Sequence, residues 1–394
     1  MSDPRYTPLR DRHEALGASF TDFGGWQMPV RYTSDLAEHH AVRQATGIFD
    51  ISHMAEFLVT GDFAGDFLDY SLAGRLSAMA VGKAKYSLML AEDGGIIDDV
   101  IVYRLAQDRF LVIANAGNRG FVDSAFASRV RSFPSRIERE MPARAEGEDR
   151  SFAGFIGDRG VDVEDVSDEY ALLAVQGPAS EAILSSMTGI SDLGTPWTEQ
   201  KYYAWADAMF LGAPLLLART GYTGEDGFEL LVRVADATAL WDALVEAGQN
   251  HGLVPAGLAA RDTLRLEAGM PLYGHELSRE TKPSQAGLGR VVVSDKDDFI
   301  GKGAVDAASD APVLVGLVAE GKRAGRAGYP VVDADGVVLG EITSGALSPT
   351  LGHPIAMAYV APSSAAAGTA VFLDVRGTRI PATVTALPFY RRMK

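Results

Sequence analysis

Apolar runs of strand length recur along the first two thirds of the chain, separated by short polar segments. Several of these runs are joined by glycine-containing turns, and residues 91–96 (AEDGGI) carry the signal of a tight hairpin turn. This pattern favours antiparallel hairpins over parallel strands that are linked by helices. The predicted strands span 56–61, 84–90, 96–105, 109–115, 170–177, 213–220 and 228–234.

Three segments between these runs carry apolar residues at helical spacing. Residues 34–47 open on a serine cap and close on Gly47, and residues 238–249 and 259–269 also end at a glycine. Together with the strands, they predict an α+β protein that is built mostly from antiparallel sheets with helices.

Two polar stretches interrupt the periodic pattern. Residues 132–168 are rich in charged residues, Gly and Ser, and predict a flexible connection or a surface insertion. Residues 306–312 (DAASDAP) predict a linker. The short strands and turns that follow, up to the end of the chain, predict a compact all-β domain.

Composition and charge narrow the function classes. A chain of 394 residues is expected to form two or three domains, and its net charge of −16 disfavours a nucleic-acid binder. An anionic ligand would therefore need a local cluster of Arg or Lys. The absence of cysteine excludes disulfides, thiol nucleophiles and cysteine zinc sites, and the scattered histidines predict no metal site. Without an apolar signal core or a membrane-length apolar stretch, we expect a cytoplasmic protein that makes no use of a membrane.

Two adjacent carboxylates stand in the apolar segment GGIIDDVIVY, residues 94–103. Strict alternation along a strand puts Asp98 and Asp99 on opposite faces, with Asp99 beside Ile97 and Tyr103. Both faces are otherwise apolar, so at least one carboxylate is expected to be enclosed, which is costly for an unpaired charge. Two interpretations stay open: the aspartates close a turn or cap backbone amides, or one is a proton acceptor or charge stabiliser in a cleft.

The segment RTGYTGEDGFEL, residues 219–230, has three glycines between two predicted strands. It lacks the glycine spacing and the lysine of nucleotide-binding loops. It is either a long hairpin loop or a ligand-binding loop in which Tyr222 and Glu229 contact the ligand. A carboxylate at Glu229 could accept two hydrogen bonds from an amino-pyrimidone edge.

Residues 256–274 carry two arginines on one helix. Arg261 and Arg265 are four residues apart and share a face, which fits an intrahelical ion-pair ladder and anion binding equally. His53, in FDISHM, is interpreted as a satisfied core or turn residue and not as a ligand. No GxSxG motif supports a hydrolase, which is set aside.

Taken together and in order, these segments resemble the glycine cleavage T-protein family almost from end to end. The segments that carry the resemblance are 7–32, 38–54, 82–90, 94–103, 219–230, 256–274, 341–352 and 388–392. The resemblance implies an aminomethyltransferase, which moves the one-carbon unit from the lipoyl arm of H-protein to tetrahydrofolate. The products are methylene-tetrahydrofolate, ammonia and dihydrolipoyl H-protein, with tetrahydrofolate as co-substrate and no metal.

The resemblance also implies three domains around a central hole that holds folate. The second domain is inserted into the first, and the third is a small β-barrel or jelly-roll unit. In this chain the implied domains are 1–51 with 166–279, 52–165 with 280–311, and 312–394.

Site residues follow from the resemblance position by position. Asp99 corresponds to the essential aspartate, Glu229 to the glutamate at the pterin edge, and Arg261 and Arg391 to folate-contacting arginines. The implied pocket-lining residues are Met54, Tyr86, Tyr103, Asn115, Tyr202 and Tyr222.

Some features lie outside this correspondence. Residues 135–160 are longer and more polar than the family pattern, and are expected to form a surface insertion that could alter H-protein docking. The basic segment 321–328 (GKRAGRAG) is either a docking surface for an acidic carrier or a solvated hairpin loop.

Two other functions stay open. One is a tetrahydrofolate-dependent demethylase of a small methylated compound on the same fold. The other is a folate-binding assembly or tRNA-modification factor, whose relatives typically carry a cysteine motif that this chain lacks.

Overall fold

The computed structural model describes residues 4–140 and 160–392. The chain forms two compact units: unit 1 comprises 1–53, 169–289 and 306–394, and unit 2 comprises 54–168 and 290–305. The implied three-domain division and its boundaries stay a prediction. None of the helices in the described part of the chain is long and apolar enough to cross a membrane.

Helices and strands are numbered in chain order. The helices are α1 (Arg10–Ala15), α2 (Asp35–Gln44), α3 (Ala64–Ser71), α4 (Arg119–Glu140), α5 (Ser180–Ser186), α6 (Ala237–Gly248) and α7 (Leu258–Glu267). The strands are β1 (Ser19–Phe23), β2 (Trp26–Arg31), β3 (Thr46–Asp50), β4 (Ala55–Thr60), β5 (Ala84–Leu90), β6 (Ile96–Ala106), β7 (Arg109–Ala114), β8 (Asp162–Asp165), β9 (Tyr170–Gln176), β10 (Ile190–Ser191), β11 (Trp205–Phe210), β12 (Ala213–Ala218), β13 (Gly227–Arg233), β14 (Leu253–Pro255), β15 (Val313–Ala319), β16 (Pro330–Val332), β17 (Val338–Leu347), β18 (Pro354–Val360), β19 (Ala370–Val375) and β20 (Thr378–Thr385).

Unit 1 contains a seven-stranded sheet in the order β10-β11-β12-β13-β9-β3-β14. Its strands are antiparallel to their neighbours except β14, which is parallel to β3. Alternate residues of β9, such as Leu173 and Val175, point to one face and pack with Leu240 and Leu244 of α6. The helical spacing of the two leucines and the period of two in the strand therefore meet in one core.

The C-terminal part of unit 1 is a closed barrel in the order β15-β18-β17-β16-β19-β20. Val371, Leu373 and Val375 alternate into its core. Closure pairs the edge strands, so that a small all-β unit exposes no unpaired ladder. The predicted α+β fold with a C-terminal β-barrel is confirmed.

Unit 2 is built on a five-stranded antiparallel sheet in the order β5-β6-β7-β4-β8. One face packs against α3 and α4, with Phe67 and Phe126 against Phe57 and Phe110. The opposite face of this sheet carries Asp99.

A β-bulge in β6 breaks the predicted alternation of side chains. Leu90 pairs with Ile96 and Met89 with Asp98, which leaves Ile97 as an extra residue. Ile97 therefore joins the helix-covered core and does not share the face of Asp99. The prediction that Ile97 lies on the same face of the strand as Asp99 is wrong. The predicted alternation of side chains holds from Asp98 to Tyr103. Bulges often re-aim side chains beside functional sites.

Two predicted boundaries also differ from the structure. The helix predicted for 34–47 begins after the Ser34 cap but ends at Gln44, and Gly47 lies within β3. In the polar stretch 132–168, α4 continues to Glu140 and β8 pairs with β4, so these parts are regular secondary structure and not the flexible connection that was one of the two predictions. The rest of the predicted insertion, residues 141–159, lies outside the described residues.

Candidate active site

Asp99 projects from β6 at the point where three predicted site residues meet. The Tyr86 hydroxyl donates to Asp99 Oδ2 at 3.1 Å, and Asn115 Nδ2 donates to Asp99 Oδ1 at 2.8 Å. Tyr86 comes from β5 and Asn115 directly follows β7, so the two strands that flank β6 supply the two donors. The carboxylate is oriented from both sides while Asp99 stays partly exposed.

Asp98 is fully buried and has a different set of partners. Its carboxylate accepts hydrogen bonds from the backbone N–H of Asn115 at 2.9 Å, from Asn115 Nδ2 at 2.8 Å and from Asn118 Nδ2 at 2.6 Å. Asp98 thus caps a backbone amide and holds the turn after β7. The interpretation in which an aspartate caps backbone amides therefore fits Asp98. Asn118 also donates to this carboxylate, and no motif in the sequence indicated that role.

The two carboxyl groups bind protons more tightly than isolated aspartates. Burial raises the pKa of Asp98, and the charge of Asp99 raises it further, to about 8, against the effect of its amide donors. Burial also raises the pKa of Asp99, although hydrogen bonds from Tyr86 and Asn115 oppose the shift. A carboxyl whose pKa lies closer to neutrality is suited to proton transfer.

The strand register shows what else lies on the Asp99 face. Tyr86, Ile101, Ile113 and Glu56 form one row across β5, β6, β7 and β4. The apolar centre of this row is thus flanked by a phenol at one end and a carboxyl at the other.

Tyr103 and Met54 lie further from Asp99 along this sheet. Tyr103 is buried and pairs with Ala84 and Leu111, two residues along β6 from the Tyr86 row. Met54 is half-buried and immediately precedes β4. The structure therefore brings the donors of Tyr86 and Asn115 to the Asp99 carboxylate, and places Tyr103 and Met54 further along the same sheet.

Glu56 is buried, and neither of its carboxyl oxygens has a hydrogen-bond partner among the described residues. Burial raises its pKa well above the ordinary value, and the charge of Arg119 only partly offsets this effect. No sequence pattern indicates that this carboxyl is buried, because a single Glu in an apolar strand resembles a solvent-facing residue.

A second group of predicted residues lies in unit 1. Glu229, on β13, is buried and accepts a hydrogen bond from Thr220 Oγ1. The Arg261 guanidinium lies 5.0 Å from the ring centre of Tyr222, whose hydroxyl donates to the backbone carbonyl of Pro271. Burial lowers the pKa of Arg261, and the charge of Glu229 opposes this shift. The structure therefore places Glu229, Arg261 and Tyr222 in one cluster.

The glycine-rich segment 219–230 comprises the loop 219–226 between β12 and β13 and the first four residues of β13, and Gln176 holds the loop in place. Gln176 Nε2 donates to the carbonyl of Thr220 at 3.1 Å, and Thr223 Oγ1 donates to Gln176 Oε1 at 2.9 Å. A Cβ on Gly221 would lie 2.0 Å from Gln176 Oε1, so a larger residue fits there only if the Gln176 side chain or the loop moves. The glycine thus permits close packing of the loop against Gln176 of β9, a brace that the loop sequence alone did not reveal.

Arg265, four residues after Arg261, has a structural role. It is buried in ion pairs with Glu276 at 2.9 Å and Asp262 at 2.7 Å, and donates to Ser344 Oγ at 2.8 Å. Arg261 Nη1, in contrast, is buried without a hydrogen-bond partner among the described residues. The ion-pair interpretation fits Arg265, and the ligand-binding one stays open for Arg261.

Arg392, near the C-terminus, packs against Tyr202, which is one of the predicted pocket residues. The Arg392 guanidinium lies 5.4 Å from the ring centre of Tyr202 and 3.1 Å from the Asp226 carboxylate. Arg391 is exposed, and no contact within the described structure joins it to the other predicted site residues. The placement of Arg391 at the folate end stays a prediction, and Arg392 is a neighbouring candidate that sequence reasoning missed.

His53 is buried, as predicted, but it is not satisfied. Its Nδ1 has no hydrogen-bond partner in the part of the chain that the structure describes. Burial and the charge of Arg261 lower its pKa to about 4, so the imidazole is neutral at pH 7. The interpretation of His53 as a satisfied core residue is wrong.

Comparisons with known proteins agree with this organisation. Residues 9–296 match the family described as the GCVT N-terminal domain, and residues 313–391 match the glycine cleavage T-protein C-terminal barrel domain. The chain belongs to the glycine cleavage T-protein family. The family that the ordered motifs predicted is thereby confirmed.

Individual members of the T-protein family match over their full length. The chain is 52% identical over 396 residues to an aminomethyltransferase of Saccharopolyspora erythraea, with both sequences covered completely. It is 51% identical over 399 residues to one of Cutibacterium acnes, again with complete coverage of both. The crystal structure of the glycine cleavage system aminomethyltransferase T from Bartonella henselae matches with a TM-score of 0.82 at 34% identity, and covers 99% of each chain.

Proposed function

We propose that this chain is a tetrahydrofolate-dependent aminomethyltransferase with Asp99 as its chemical centre. The activity is the one that its T-protein relatives are named for. The observation that supports the role of Asp99 is its geometry: the carboxylate is oriented by Tyr86 and Asn115, while the adjacent Asp98 takes the structural hydrogen bonds.

The reaction requires proton transfer at the site of bond exchange. Two folate N–H groups each lose a proton and form a bond to the transferred carbon, while the carbon's bonds to sulfur and to the amine nitrogen break. One proton goes to the departing sulfur and one to ammonia. Asp99 can accept or orient a folate proton, and as a carboxylate it stabilises positive charge on the carbon. Burial raises the pKa of Asp99, which makes the carboxylate a stronger proton acceptor than an exposed aspartate.

The unit 1 cluster supports folate binding in this proposal. Folate combines a flat pterin with an anionic glutamate tail. Glu229 is proposed to accept the N–H groups of the pterin edge, and the tyrosines Tyr202 and Tyr222 to provide aromatic surface. Arg261 and Arg391 are proposed to supply positive charge that a chain of net charge −16 otherwise lacks.

H-protein with its lipoyl arm is the proposed partner, and the loop 321–328 is its proposed docking surface. Lys322, Arg323 and Arg326 are exposed on this loop. Lys322 and Arg326 donate to the backbone carbonyls of Gly352 and Gly345, which fixes the loop while their charge stays at the surface. An acidic carrier would be attracted to such a surface.

The test uses purified protein, tetrahydrofolate and aminomethyl-loaded lipoyl H-protein. We expect methylene-tetrahydrofolate and ammonia in equal amounts. We expect Asp99→Asn to lower turnover by about 10²–10⁴, the range for loss of a general base, with tetrahydrofolate affinity retained. Asp108→Asn, at an exposed position of the next turn, is the matched control and should leave the rate unchanged.

Two results would contradict the proposal. Near-normal turnover by Asp99→Asn would remove Asp99 from the chemistry. Failure to form methylene-tetrahydrofolate from loaded H-protein, together with tetrahydrofolate-dependent demethylation of a small methylated compound, would instead identify a demethylase.

A further inference from the structure

The side chain of Asn115 reaches both faces of the unit 2 sheet. Asp98 lies on the helix-covered face, like Val100, and Asp99 lies on the opposite one. Asn115 Nδ2 is 2.8 Å from Asp98 Oδ1 and 2.8 Å from Asp99 Oδ1, with a longer contact of 3.3 Å to the Asp99 carbonyl oxygen. One side-chain amide therefore joins the buried carboxylate to the proposed catalytic one.

The hydrogen bonds of Asp98 determine which end of the Asn115 amide faces Asp99. Asp98 Oδ1 also accepts from Asn118 Nδ2 at 2.6 Å, and its Oδ2 accepts the backbone N–H of Asn115 at 2.9 Å. Every described hydrogen bond of Asp98 is donated to it, which favours the ionised carboxylate against the effect of burial on its pKa. The amide oxygen of Asn115 would repel such a carboxylate, so the Nδ2 end faces both aspartates and its two hydrogens serve them.

We propose that Asp98 is a positioning residue for the transfer reaction, which orients Asp99 through the Asn115 amide and is itself held by Asn118. This inference rests on the proposed role of Asp99 and extends it, since neither Asp98 nor Asn118 is among the implied site residues. Asp98 is enclosed, so it does not touch a substrate. Its contribution is to keep one oxygen of Asp99 hydrogen-bonded in a fixed direction, so that the carboxylate does not have to be oriented during the reaction.

Replacement of Asp98 by asparagine keeps the size of the side chain but adds a donor where three donors converge. If the new amide nitrogen faced the side chains, it would repel Asn118 Nδ2 and favour an Asn115 amide that is turned over, with its oxygen towards Asp99. If the new nitrogen faced the backbone, it would repel the Asn115 N–H and displace the turn that carries this side chain. In both arrangements the donor to Asp99 Oδ1 is lost or misplaced.

The main experiment measures turnover and tetrahydrofolate binding separately, on the full-length protein with aminomethyl-loaded lipoyl H-protein. We expect Asp98→Asn to lower kcat by about 10- to 100-fold, the range for a misplaced reacting group, with little change in the Kd of tetrahydrofolate. Asn118→Ala removes one donor to Asp98 but keeps the Asn115 amide, so its loss of kcat should be smaller. The controls Asp108→Asn and Asn250→Ala, at exposed positions, should leave both quantities unchanged.

A double-mutant cycle tests whether Asp98 acts through Asn115. In the background of Asn115→Ala the link to Asp99 is absent, so Asp98→Asn should lower kcat no further. Equal factors of loss in both backgrounds would overturn the inference, and so would a folded Asp98→Asn variant with the kcat of the wild-type protein. If Asp99→Asn itself turns over at a near-normal rate, the proposed role of Asp99 fails, and the inference fails with it.

A second measurement needs neither turnover nor a folded Asp98 variant. Asn115, Asn118 and Asn250 are the only asparagines in the sequence, so a sample labelled with ¹⁵N-asparagine gives few side-chain amide resonances to assign. Among the described hydrogen bonds, the Asn118 side chain donates to Asp98 and not to Asp99. We expect Asp99→Asn to shift the side-chain amides of Asn115 and Asn118 and to leave that of Asn250 unchanged. An Asn118 amide that keeps its wild-type shift would also overturn the inference.

Discussion

Asp98 and Asp99 are identical side chains at adjacent positions, and their partners decide their roles. Three amide donors surround Asp98 in the core, which is how a buried carboxylate is made tolerable. Asp99 has one phenol and one amide and is partly exposed. Because Asn115 Nδ2 donates to both carboxylates, its side chain couples the structural aspartate to the proposed catalytic one.

Glu56 gives a prediction about pH and stability at the scale of one residue. Its pKa is raised well above the ordinary value of 4.5, mainly by burial, so the folded state prefers the protonated acid. This preference stabilises the fold fully below about pH 4.5, and the contribution is lost as the pH rises towards the folded pKa. We expect Glu56→Gln to unfold at a higher temperature than wild type at pH 8, and the difference to shrink towards pH 4.

Thermal unfolding between pH 4 and pH 8 checks this expectation. Glu164→Gln, at an exposed position of β8 in the same sheet, is the matched control and should show no such pH-dependent gain. A Glu56→Gln variant that is equally or less stable than wild type at pH 8 would mean that Glu56 is charged and paired in solution.

At the scale of an element, the conformation of the loop 219–226 depends on its packing against β9. Gln176 of β9 holds it through Thr220 and Thr223, and this leaves no space for a side chain at Gly221. We expect Gly221→Ala to cost about 1–3 kcal/mol of unfolding free energy, as for other overpacked sites. It should also weaken tetrahydrofolate binding, because Thr220 holds Glu229.

Chemical denaturation and ligand titration of Gly221→Ala test this expectation. The control is Gly289→Ala, where an added Cβ meets nothing within 4 Å. Equal stability of the two variants would show that the loop can move away from Gln176.

How accurately the sequence predicts a helix or strand depends on how much the two faces of that element differ in polarity. The run 84–90 was predicted with the bounds of β5, because its apolar period and flanking turns are local signals. The bulge at Ile97 could not be predicted, since both faces of that strand are apolar and a slipped side chain leaves the pattern unchanged. The sequence pattern predicts Gly47 as a helix end, whereas it lies in β3, where a Cβ would meet Val42 Cγ2 of α2 at 2.5 Å; close helix–strand packing therefore favours glycine there.

At the scale of the whole molecule, contacts between residues that are far apart in the sequence explain some sequence motifs that ligand binding alone does not explain. Glu267 at the end of α7 accepts hydrogen bonds from Arg43 of α2, and from Ser348 and Thr350, which follow β17 of the barrel. Ser348 and Thr350, in the segment 341–352 that helped to identify the family, thus hold the end of β17 against α7 within unit 1. The ordered motifs predicted the family and fold, but the motifs alone could not separate this structural role from ligand binding.

The Glu267 network makes the stability of unit 1 sensitive to acid. Burial would raise the pKa of Glu267, but hydrogen bonds from His39 and Ser348 and the charges of His39 and Arg43 outweigh it and lower the pKa to about 2. A lowered folded pKa gives stability that is present above the unfolded value of about 4.5 and is lost as the pH falls through about 2. The shift corresponds to about 3 kcal/mol in order of magnitude.

We therefore expect the unfolding free energy to fall between pH 4.5 and pH 2, and Glu267→Gln to flatten this dependence while lowering stability at pH 7. Denaturant unfolding across that range measures it, with Glu246→Gln, exposed on α6, as the control. The variant loses its charge but keeps its size, so a loss at pH 7 reflects the missing ion pair with Arg43, which keeps its ion pair with Glu225, and not a cavity. If Glu267→Gln kept the full acid dependence of the wild-type protein, the acid sensitivity would have to come from other carboxylates.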